Sequence, residues 1–141
     1  MSDSASPYFK KIEHIGIAVR SLEEAIPRYE RLMGSRVYKR EVVDSEGVET
    51  AFLQCGPNKI ELLERRRADG PIAVFLEKRG GGMHHIAYAV EDIRSEMQRL
   101  NQEGFQLLNN EPKAGADGKW VCFLHPRGAS GVLTELCQDR D

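Results

Sequence analysis

The sequence predicts an α+β fold in which two tandem βαβββ modules form one curved mixed sheet. Three observations lead to this prediction. A seven-residue motif of the form x-His-Ile-small-x-Ala-Val occurs at residues 13–19 and again at 84–90. Each copy is followed by a segment with helical periodicity, and each of those segments is followed by three strand-like runs. Repetition at this scale indicates that one supersecondary unit has been duplicated.

Composition restricts the class of protein. A chain of 141 residues can form one domain, or two half-size units that share a core. Its 40% hydrophobic and 30% charged residues are typical of a globular protein. The net charge of −2 and the lack of a long apolar run argue against nucleic acid and membrane as partners. Residues 1–9 are predicted to be a flexible leader without a secretory signal, so we expect a cytoplasmic location.

Both predicted helices have start and stop signals. In the first helix, Ser21 and Glu24 have capping-box spacing, and Gly34 stands where the helix should end. Pro27 lies inside this pattern and is expected to kink the helix or shift its start. In the second helix, Asp92 is the expected N-cap. The apolar stripes comprise Leu22, Ile26, Tyr29 and Leu32 in the first helix and Ile93, Met97 and Leu100 in the second.

The remaining elements complete a single domain over residues 10–138. The strand-like runs cover residues 36–43, 48–55 and 59–64 in the first half and 106–110, 119–124 and 132–137 in the second. The two modules therefore extend over about residues 10–66 and 82–138. Between them, residues 71–79 suit a short linking helix because Pro71 stands near its start.

A histidine stands in the first strand of each module and a glutamate in the last. His14 precedes Glu61 by 47 residues, and His85 precedes Glu135 by 50. If the modules pair about a pseudo-twofold axis, these four side chains can meet inside the sheet. Two imidazoles and two carboxylates suit a divalent cation such as Co²⁺, Mn²⁺, Ni²⁺, Fe²⁺ or Zn²⁺. Such a set leaves coordination positions open, which favours a catalytic site over a structural one.

Strand alternation adds detail to this hypothesis. His14 shares a face with Gly16, and His85 shares a face with Ala87, so small residues leave a hollow beside each imidazole. A single histidine in a strand is more often a core residue than a ligand, but its recurrence with a glutamate in both modules favours the metal site. The same alternation puts His84 on the opposite face from His85, in a packing or hydrogen-bonding role.

Several longer stretches carry a family resemblance. They read IEHIGIAV from residue 12, KIELL from 59, GGGMHHIA from 80, PKAGADGK from 112, FLHP from 123 and GVLTEL from 131. Through them the sequence resembles the methylmalonyl-CoA epimerase family, within the vicinal-oxygen-chelate superfamily, over about residues 10–138. The His-Pro pair at residues 125–126 favours this family over glyoxalase I enzymes, which usually have an Asp-Pro-x-Gly turn in that region.

The resemblance implies a vicinal-oxygen-chelate fold and an enzyme that inverts C2 of methylmalonyl-CoA between the (2R) and (2S) epimers through an enolate. It implies that His14, Glu61, His85 and Glu135 bind a divalent cation, with Co²⁺ as the first expectation, which acts as a Lewis acid on the substrate oxygens. It also implies a homodimer, because dimers are common in the family. Epimerisation further requires one base on each face of the planar intermediate.

Glu135 is the expected base on one face, because the family motif places it beside the metal and the substrate. For the other face, the family has a glutamate where this sequence has Thr50, one residue after Glu49. A one-residue shift turns a side chain to the other face of a strand unless a bulge intervenes. We expect Glu49 to be the second base, with Glu46 or a water molecule on the metal as the alternatives.

Three basic residues, Lys113, Lys119 and Arg127, lie near the family-like loops and are predicted to bind the CoA phosphates. Other functions stay open at this point: a glyoxalase I-like lyase, an Fe²⁺ dioxygenase, or a non-catalytic small-molecule binding protein on the same scaffold. A dioxygenase would favour two histidines and one carboxylate, so the additional Glu61 argues against it. A pure binding protein has little reason to keep all four ligands.

Overall fold

The computed structural model describes residues 8–141, so residues 1–7 of the predicted leader lie outside the described part of the chain. The first module contains β1 (Lys11–Ala18), α1 (Leu22–Met33), β2 (Val37–Val43), β3 (Val48–Cys55) and β4 (Asn58–Arg65). After α2 (Pro71–Arg79), the second module contains β5 (Gly82–Ala89), α3 (Ile93–Gln102), β6 (Lys113–Gly115), β7 (Lys119–Leu124) and β8 (Thr134–Asp139). The first 3-10 turn (Asp44–Glu46) joins β2 to β3, and the second 3-10 turn (Ala116–Gly118) joins β6 to β7.

The eight strands form one mixed sheet in the order β2-β3-β4-β1-β5-β8-β7-β6. In each module the first strand runs parallel to the last, and the other neighbours are antiparallel. The antiparallel pair β1–β5 joins the modules at the centre. The sheet curves far enough for Lys39 on the edge strand β2 to reach Asp117, 3.2 Å away, beside the other edge. The predicted fold class is confirmed, whereas the module boundaries at 10–66 and 82–138 stay a prediction.

Helices α1 and α3 pack on one face of the sheet, whereas α2 packs against Ala18, Val48 and Leu63. Leu22 of α1 packs with Leu53 and Leu62, and Met97 of α3 packs with Leu136. These buried contacts come from the apolar stripes that the sequence predicts. None of the helices within residues 8–141 has both the length and the apolar character needed to cross a membrane.

Helix α1 begins and ends as its capping residues predict. The Ser21 hydroxyl accepts a hydrogen bond from the backbone N–H of Glu24 at 3.3 Å, and Gly34 ends the helix with φ of 67°. The left-handed conformation at this position favours glycine. The helix continues through Pro27, so the proline does not shift its start.

The prediction of a strand over residues 106–110 is wrong, because the first antiparallel strand of the second module is β6, residues 113–115. In the earlier segment only Leu107 forms an isolated bridge, with Leu124. The side chain of Asn109 takes the place of a ladder bond: its Oδ1 accepts from the N–H of Phe123 at 3.0 Å. An asparagine that bonds the backbone in this way competes with regular strand pairing.

Candidate metal centre and active site

The four predicted ligands meet on the inner face of the curved sheet. Nε2 of His14 lies 3.2 Å from Nε2 of His85. Oε1 of Glu61 lies 3.2 and 3.4 Å from these two nitrogens, and Oε1 of Glu135 lies 3.3 and 3.0 Å from them. All four residues are buried, with 3–6% of their surface exposed. The cluster thus combines one imidazole and one carboxylate from each module.

The spacing of these atoms fits a divalent cation. Two ligand atoms that are each about 2.1 Å from one cation, at right angles, lie about 3.0 Å apart, and wider angles increase the separation. The observed separations of 3.0–3.4 Å correspond to that range. His14, His85 and Glu135 each offer an atom within 4.8 Å of the others, and Glu61 contacts both imidazoles. The donor types also suit a borderline divalent ion.

The small residues beside the histidines make room for the imidazole of the opposite module. Gly16 pairs with His85 across the central strands, and Ala87 pairs with His14. A Cβ atom on Gly16 would overlap the ring of His85. The hollow that the sequence predicts is therefore filled by the ligand from the other half of the chain.

A bulge precedes each ligand histidine. The register between β1 and β5 shifts twice, and the shifts leave Glu13 and His84 without strand partners. Oε1 of Glu13 lies 2.6 Å from Nδ1 of His14, and Nδ1 of His84 lies 2.9 Å from Nδ1 of His85. Regular alternation would separate consecutive side chains, but a bulge removes that restriction. His84 therefore reaches the ring of His85, contrary to the opposite-face prediction.

Glu13 supports His14 from the side away from the cluster. Its Oε2 lies 2.6 Å from Nζ of Lys59 and 3.6 Å from Nζ of Lys119. Burial raises the pKa of Glu13, but the hydrogen bonds with His14 and Lys59 outweigh this effect and lower it to about 2. The ionised carboxylate accepts the Nδ1 proton of His14, which leaves Nε2 free to bind a cation.

The pKa shifts in the cluster favour protonated imidazoles and ionised carboxylates. Burial lowers the pKa of His85, but Glu135 and Glu61 outweigh it and raise the value to about 9. The pKa of His14 is also raised, because Glu61 and its other carboxylate partners outweigh burial. Conversely, burial raises the pKa of Glu61 and of Glu135, but both histidines outweigh it and lower each value. The carboxylates are therefore ionised at neutral pH, and cation binding must displace protons from the imidazoles.

A cavity that is open to solvent lies over the cluster. Glu46 and Thr50 line it from the first module, and Asp117 and Lys119 from the second. The carboxylate of Asp117 accepts a hydrogen bond from Nζ of Lys59 at 2.7 Å. This bond holds the second 3-10 turn against the cavity. The apolar walls are formed by Val43, Val48, Phe52, Leu63, Val121 and Phe123.

Comparison with known proteins identifies the family. Residues 13–123 match the Glyoxalase/Bleomycin resistance protein/Dioxygenase superfamily. The ethylmalonyl-CoA/methylmalonyl-CoA epimerase of Cereibacter sphaeroides is 43% identical over 130 residues, which cover 91% of this chain and 97% of the relative. The chain belongs to the methylmalonyl-CoA epimerase family. The human mitochondrial methylmalonyl-CoA epimerase is 40% identical over 129 residues, 91% of this chain and 73% of the relative.

A solved structure from the same family agrees with the fold. A variant of the Streptomyces coelicolor methylmalonyl-CoA epimerase in complex with 2-nitronate-propionyl-CoA superposes with a TM-score of 0.91. It is 34% identical, and the match covers 94% of this chain and 99% of that one. The predicted family is confirmed, and with it the enzyme class, an isomerase of the epimerase type.

The structure corrects the placement of Glu49, which was expected beside the ligands like the family's second catalytic glutamate. The carboxylate of Glu49 accepts from Nε of Arg40 at 3.1 Å, and Glu49 does not line the cavity. Thr50, the residue at the family position, does line it. The reason is strand alternation: β3 pairs with both neighbours without a bulge at this point, so consecutive side chains point to opposite faces.

The three predicted phosphate-binding residues occupy different environments. Lys113 is exposed, and its Nζ lies 3.5 Å from Oε2 of Glu46, a residue of the cavity lining. Lys119 lines the cavity, and its ammonium contacts Asp139. Arg127 is exposed in a turn, and its backbone N–H donates to Nδ1 of His125 at 3.0 Å. The fold does not bring the three residues into one cluster around the cavity.

Sequence reasoning missed Glu13 and Asp117 as parts of the site. One signal was available for Glu13: a polar residue precedes the ligand histidine in both copies of the motif. Another was available for Asp117: Glu46-Gly47 and Asp117-Gly118 are acidic-glycine pairs at equivalent turns of the two modules. Neither signal reveals the bulge at Glu13 or the contacts of Asp117 across the sheet. The bulge and those contacts depend on strands that are remote in sequence.

Proposed function

We propose that this enzyme inverts C2 of methylmalonyl-CoA between the (2R) and (2S) epimers, through an enolate, and that a divalent cation is required. The observation that supports the proposal best is the buried cluster of two imidazoles and two carboxylates at the bottom of a cavity. The Streptomyces relative binds 2-nitronate-propionyl-CoA. A nitronate is a planar anion at C2 and therefore resembles an enolate in shape and charge.

His14, Glu61, His85 and Glu135 would hold the cation. When bound, the cation supplies Lewis-acid stabilisation for negative charge on the substrate oxygens, worth several kcal/mol. The ligand side chains are held in place before substrate arrives, since Glu13 and His84 support the two imidazoles from behind. Co²⁺ is the first candidate, with Mn²⁺, Ni²⁺, Fe²⁺ and Zn²⁺ as alternatives, and elemental analysis of the purified protein distinguishes them.

Glu135 would act as the base on one face of C2. Its Oε1 faces the two imidazoles, and its Oε2 receives the thiol of Cys137 at 3.5 Å. A thiol is a weak donor, so this oxygen keeps its capacity to accept a proton. The apolar walls around it, including Phe123, exclude water from the region where the charge develops.

The CoA portion would extend out of the cavity mouth. Lys113 is the best-placed of the proposed phosphate ligands, because it is exposed and its ammonium contacts Glu46 of the cavity lining. Lys119 and Arg127 are kept in the proposal as secondary contacts. The predicted homodimer and the cytoplasmic location are also kept as predictions, and sedimentation equilibrium and cell fractionation test them.

The decisive experiment follows the C2 proton. Protein loaded with Co²⁺ is incubated with each pure epimer of methylmalonyl-CoA in D₂O, and both deuterium incorporation and epimer ratio are measured. We expect both epimers to incorporate deuterium and interconvert, EDTA to abolish both processes, and Co²⁺ to restore them. Absence of exchange would refute the proposal. Turnover of the methylglyoxal–glutathione hemithioacetal in its place would identify a glyoxalase I-like lyase.

A further inference from the structure

We propose that Glu46, and not Glu49, is the second base, acting on the face of C2 opposite Glu135. This inference rests on the proposed function, because a second base has a role only if C2 is inverted. The two carboxylates line one cavity but belong to different modules. Epimerisation requires such a pair, one on each side of the planar intermediate.

The carboxylate of Glu46 has a free acceptor. Its Oε2 is enclosed within the protein and accepts no hydrogen bond from any residue in the range 8–141. The nearest cationic group, Nζ of Lys113, is 3.5 Å away. A buried oxygen without a hydrogen-bonded partner is unusual in a folded protein. Substrate that enters the cavity would give this oxygen a proton to exchange.

The turn that carries Glu46 is anchored firmly enough to position a base. Nη1 of Arg67 donates to the carbonyl of Asp44 at 2.7 Å, and the N–H of Arg66 donates to the carbonyl of Gly47 at 2.7 Å. Gly47 has φ of 68°, and a Cβ atom there would lie 2.7 Å from Cζ of Arg67. The chain after β4 therefore packs against the first 3-10 turn and restricts it.

The equivalent acidic residue of the second module is already engaged. Asp117 also precedes a glycine with φ of 68°, Gly118, in the turn between two antiparallel strands. Its carboxylate accepts from Lys59 at 2.7 Å and from Lys39 at 3.2 Å. The duplicated fold thus presents two acidic turns to one cavity, and only in Glu46 does it leave a carboxylate oxygen without a hydrogen bond.

Glu46 is positioned to reach the face of the substrate's C2 that is opposite the face served by Glu135. Strand β3, which follows its turn, is separated from β8 by β4, β1 and β5. Four spacings of about 4.8 Å span the curved sheet between them, so the two residues approach the cavity from different sides. Thr50 lines the same cavity as Glu46, and its side chain is shorter than the glutamate that the family has at this position.

The electrostatic environment of Glu46 agrees with this role. Burial raises its pKa, while the charge of Lys113 opposes this effect. A carboxylate with a raised pKa is a better proton acceptor and, once protonated, remains a competent acid at neutral pH.

The proton inventory balances in both directions. From one epimer, Glu135 takes the C2 proton, and the electron pair of the C–H bond moves to the thioester oxygen to form the enolate. The protonated Glu46 then donates its proton to C2 from the other face, which restores the thioester carbonyl. Glu135 is left protonated and Glu46 ionised, and proton exchange with solvent resets the pair. The reverse reaction exchanges the two roles.

The test uses Glu46→Gln with Glu49→Gln as the matched control, both in Co²⁺-loaded enzyme with verified metal content. In D₂O we expect Glu46→Gln to slow epimerisation by about 10²–10⁴-fold. One epimer should still exchange its C2 proton with retention of configuration, through Glu135, while the other epimer should not exchange. Glu49→Gln should interconvert both epimers at the wild-type rate. Glu46→Asp should exchange the C2 proton more slowly than wild type, and only for the epimer that Glu46→Gln does not exchange.

Each alternative outcome contradicts this inference. Interconversion by Glu46→Gln within about threefold of wild type would exclude Glu46 as the base. Equal loss of exchange from both epimers, with metal and substrate binding intact, would exclude a face-specific role. If Glu46→Gln loses its metal or does not fold, Glu46→Asp provides the test. Interconversion by Glu46→Asp at the wild-type rate, or an equal loss of C2 proton exchange from both epimers, would exclude Glu46. Wild-type enzyme that exchanges neither epimer would refute the proposed function itself, a result distinguishable from failure of Glu46 alone.

Discussion

Glu13 links the candidate metal-binding cluster to the charged network behind it. It bonds Nδ1 of His14 at 2.6 Å and Nζ of Lys59 at 2.6 Å while 3% of its surface is exposed. A carboxylate behind a ligand histidine sets the tautomer and the ring orientation. This function requires an ionised side chain, which the lowered pKa of Glu13 provides throughout the neutral range.

We therefore expect Glu13→Gln to weaken Co²⁺ binding by about 10–100-fold. An amide keeps the size of the side chain but supplies no charge to the imidazole. Competition with a chromogenic chelator measures the affinity, and Glu91→Gln, whose side chain is 88% exposed, is the control. Unchanged affinity in Glu13→Gln would show that His14 is oriented by the bulged backbone alone.

At the scale of secondary-structure elements, the second 3-10 turn holds the two ends of the sheet together. Asp117 contacts Lys59 and Lys39, and its backbone N–H donates to Oε1 of Glu41 at 2.9 Å. These contacts join a turn beside β6 to strands β2 and β4, across the cavity. The turn therefore covers the site only while its charge contacts persist.

Replacement of this aspartate tests that role. Asp117→Asn should lower the free energy of unfolding by about 1–3 kcal/mol, because Lys59 keeps a partly buried charge with weaker compensation. Amide hydrogen exchange over residues 113–119 should become faster. Urea unfolding and exchange mass spectrometry measure the two effects. Asp69→Asn removes an exposed pair with Arg67 and should cost less than about 0.5 kcal/mol; equal effects of the two variants would contradict the assignment.

At the scale of the whole molecule, the candidate metal-binding cluster belongs to neither module alone. Each half of the chain supplies one imidazole and one carboxylate, and they meet only across the β1–β5 pair. A cation that binds this cluster therefore binds the folded chain in preference to the unfolded one. Saturation at about 100 times the Kd should add about 2.7 kcal/mol of stability.

The affinity for the cation should increase with pH. The pKa of His85 is raised to about 9 and that of His14 is also raised, so protons compete with a cation for these imidazoles at neutral pH. Because a cation must displace these protons, its apparent affinity should rise roughly tenfold for each unit of increase in pH and for each proton displaced. Calorimetry at pH 6.5 and 7.5, in buffers of different ionisation enthalpy, measures affinity and proton release together. An affinity independent of pH over this interval would refute the prediction.

The sequence by itself determined the duplicated order of elements, the capped helices and the four residues that meet in the candidate metal site. These features are local or repeated: helical and strand periodicities, capping residues, and a His and Glu at equivalent places in both halves. The interactions that produce these features act within a few residues of each position, so the features can be predicted from the amino-acid sequence.

The tertiary structure decided which neighbours of those residues join the site. The bulges that turn Glu13 and His84 toward the ligand histidines arise from pairing between β1 and β5. The regular pairing of β3 turns Glu49 away, while the curvature of the sheet brings Glu46 to the cavity. Alternation along a strand can be read from sequence only while the register is regular, and the register depends on strands that are remote along the chain.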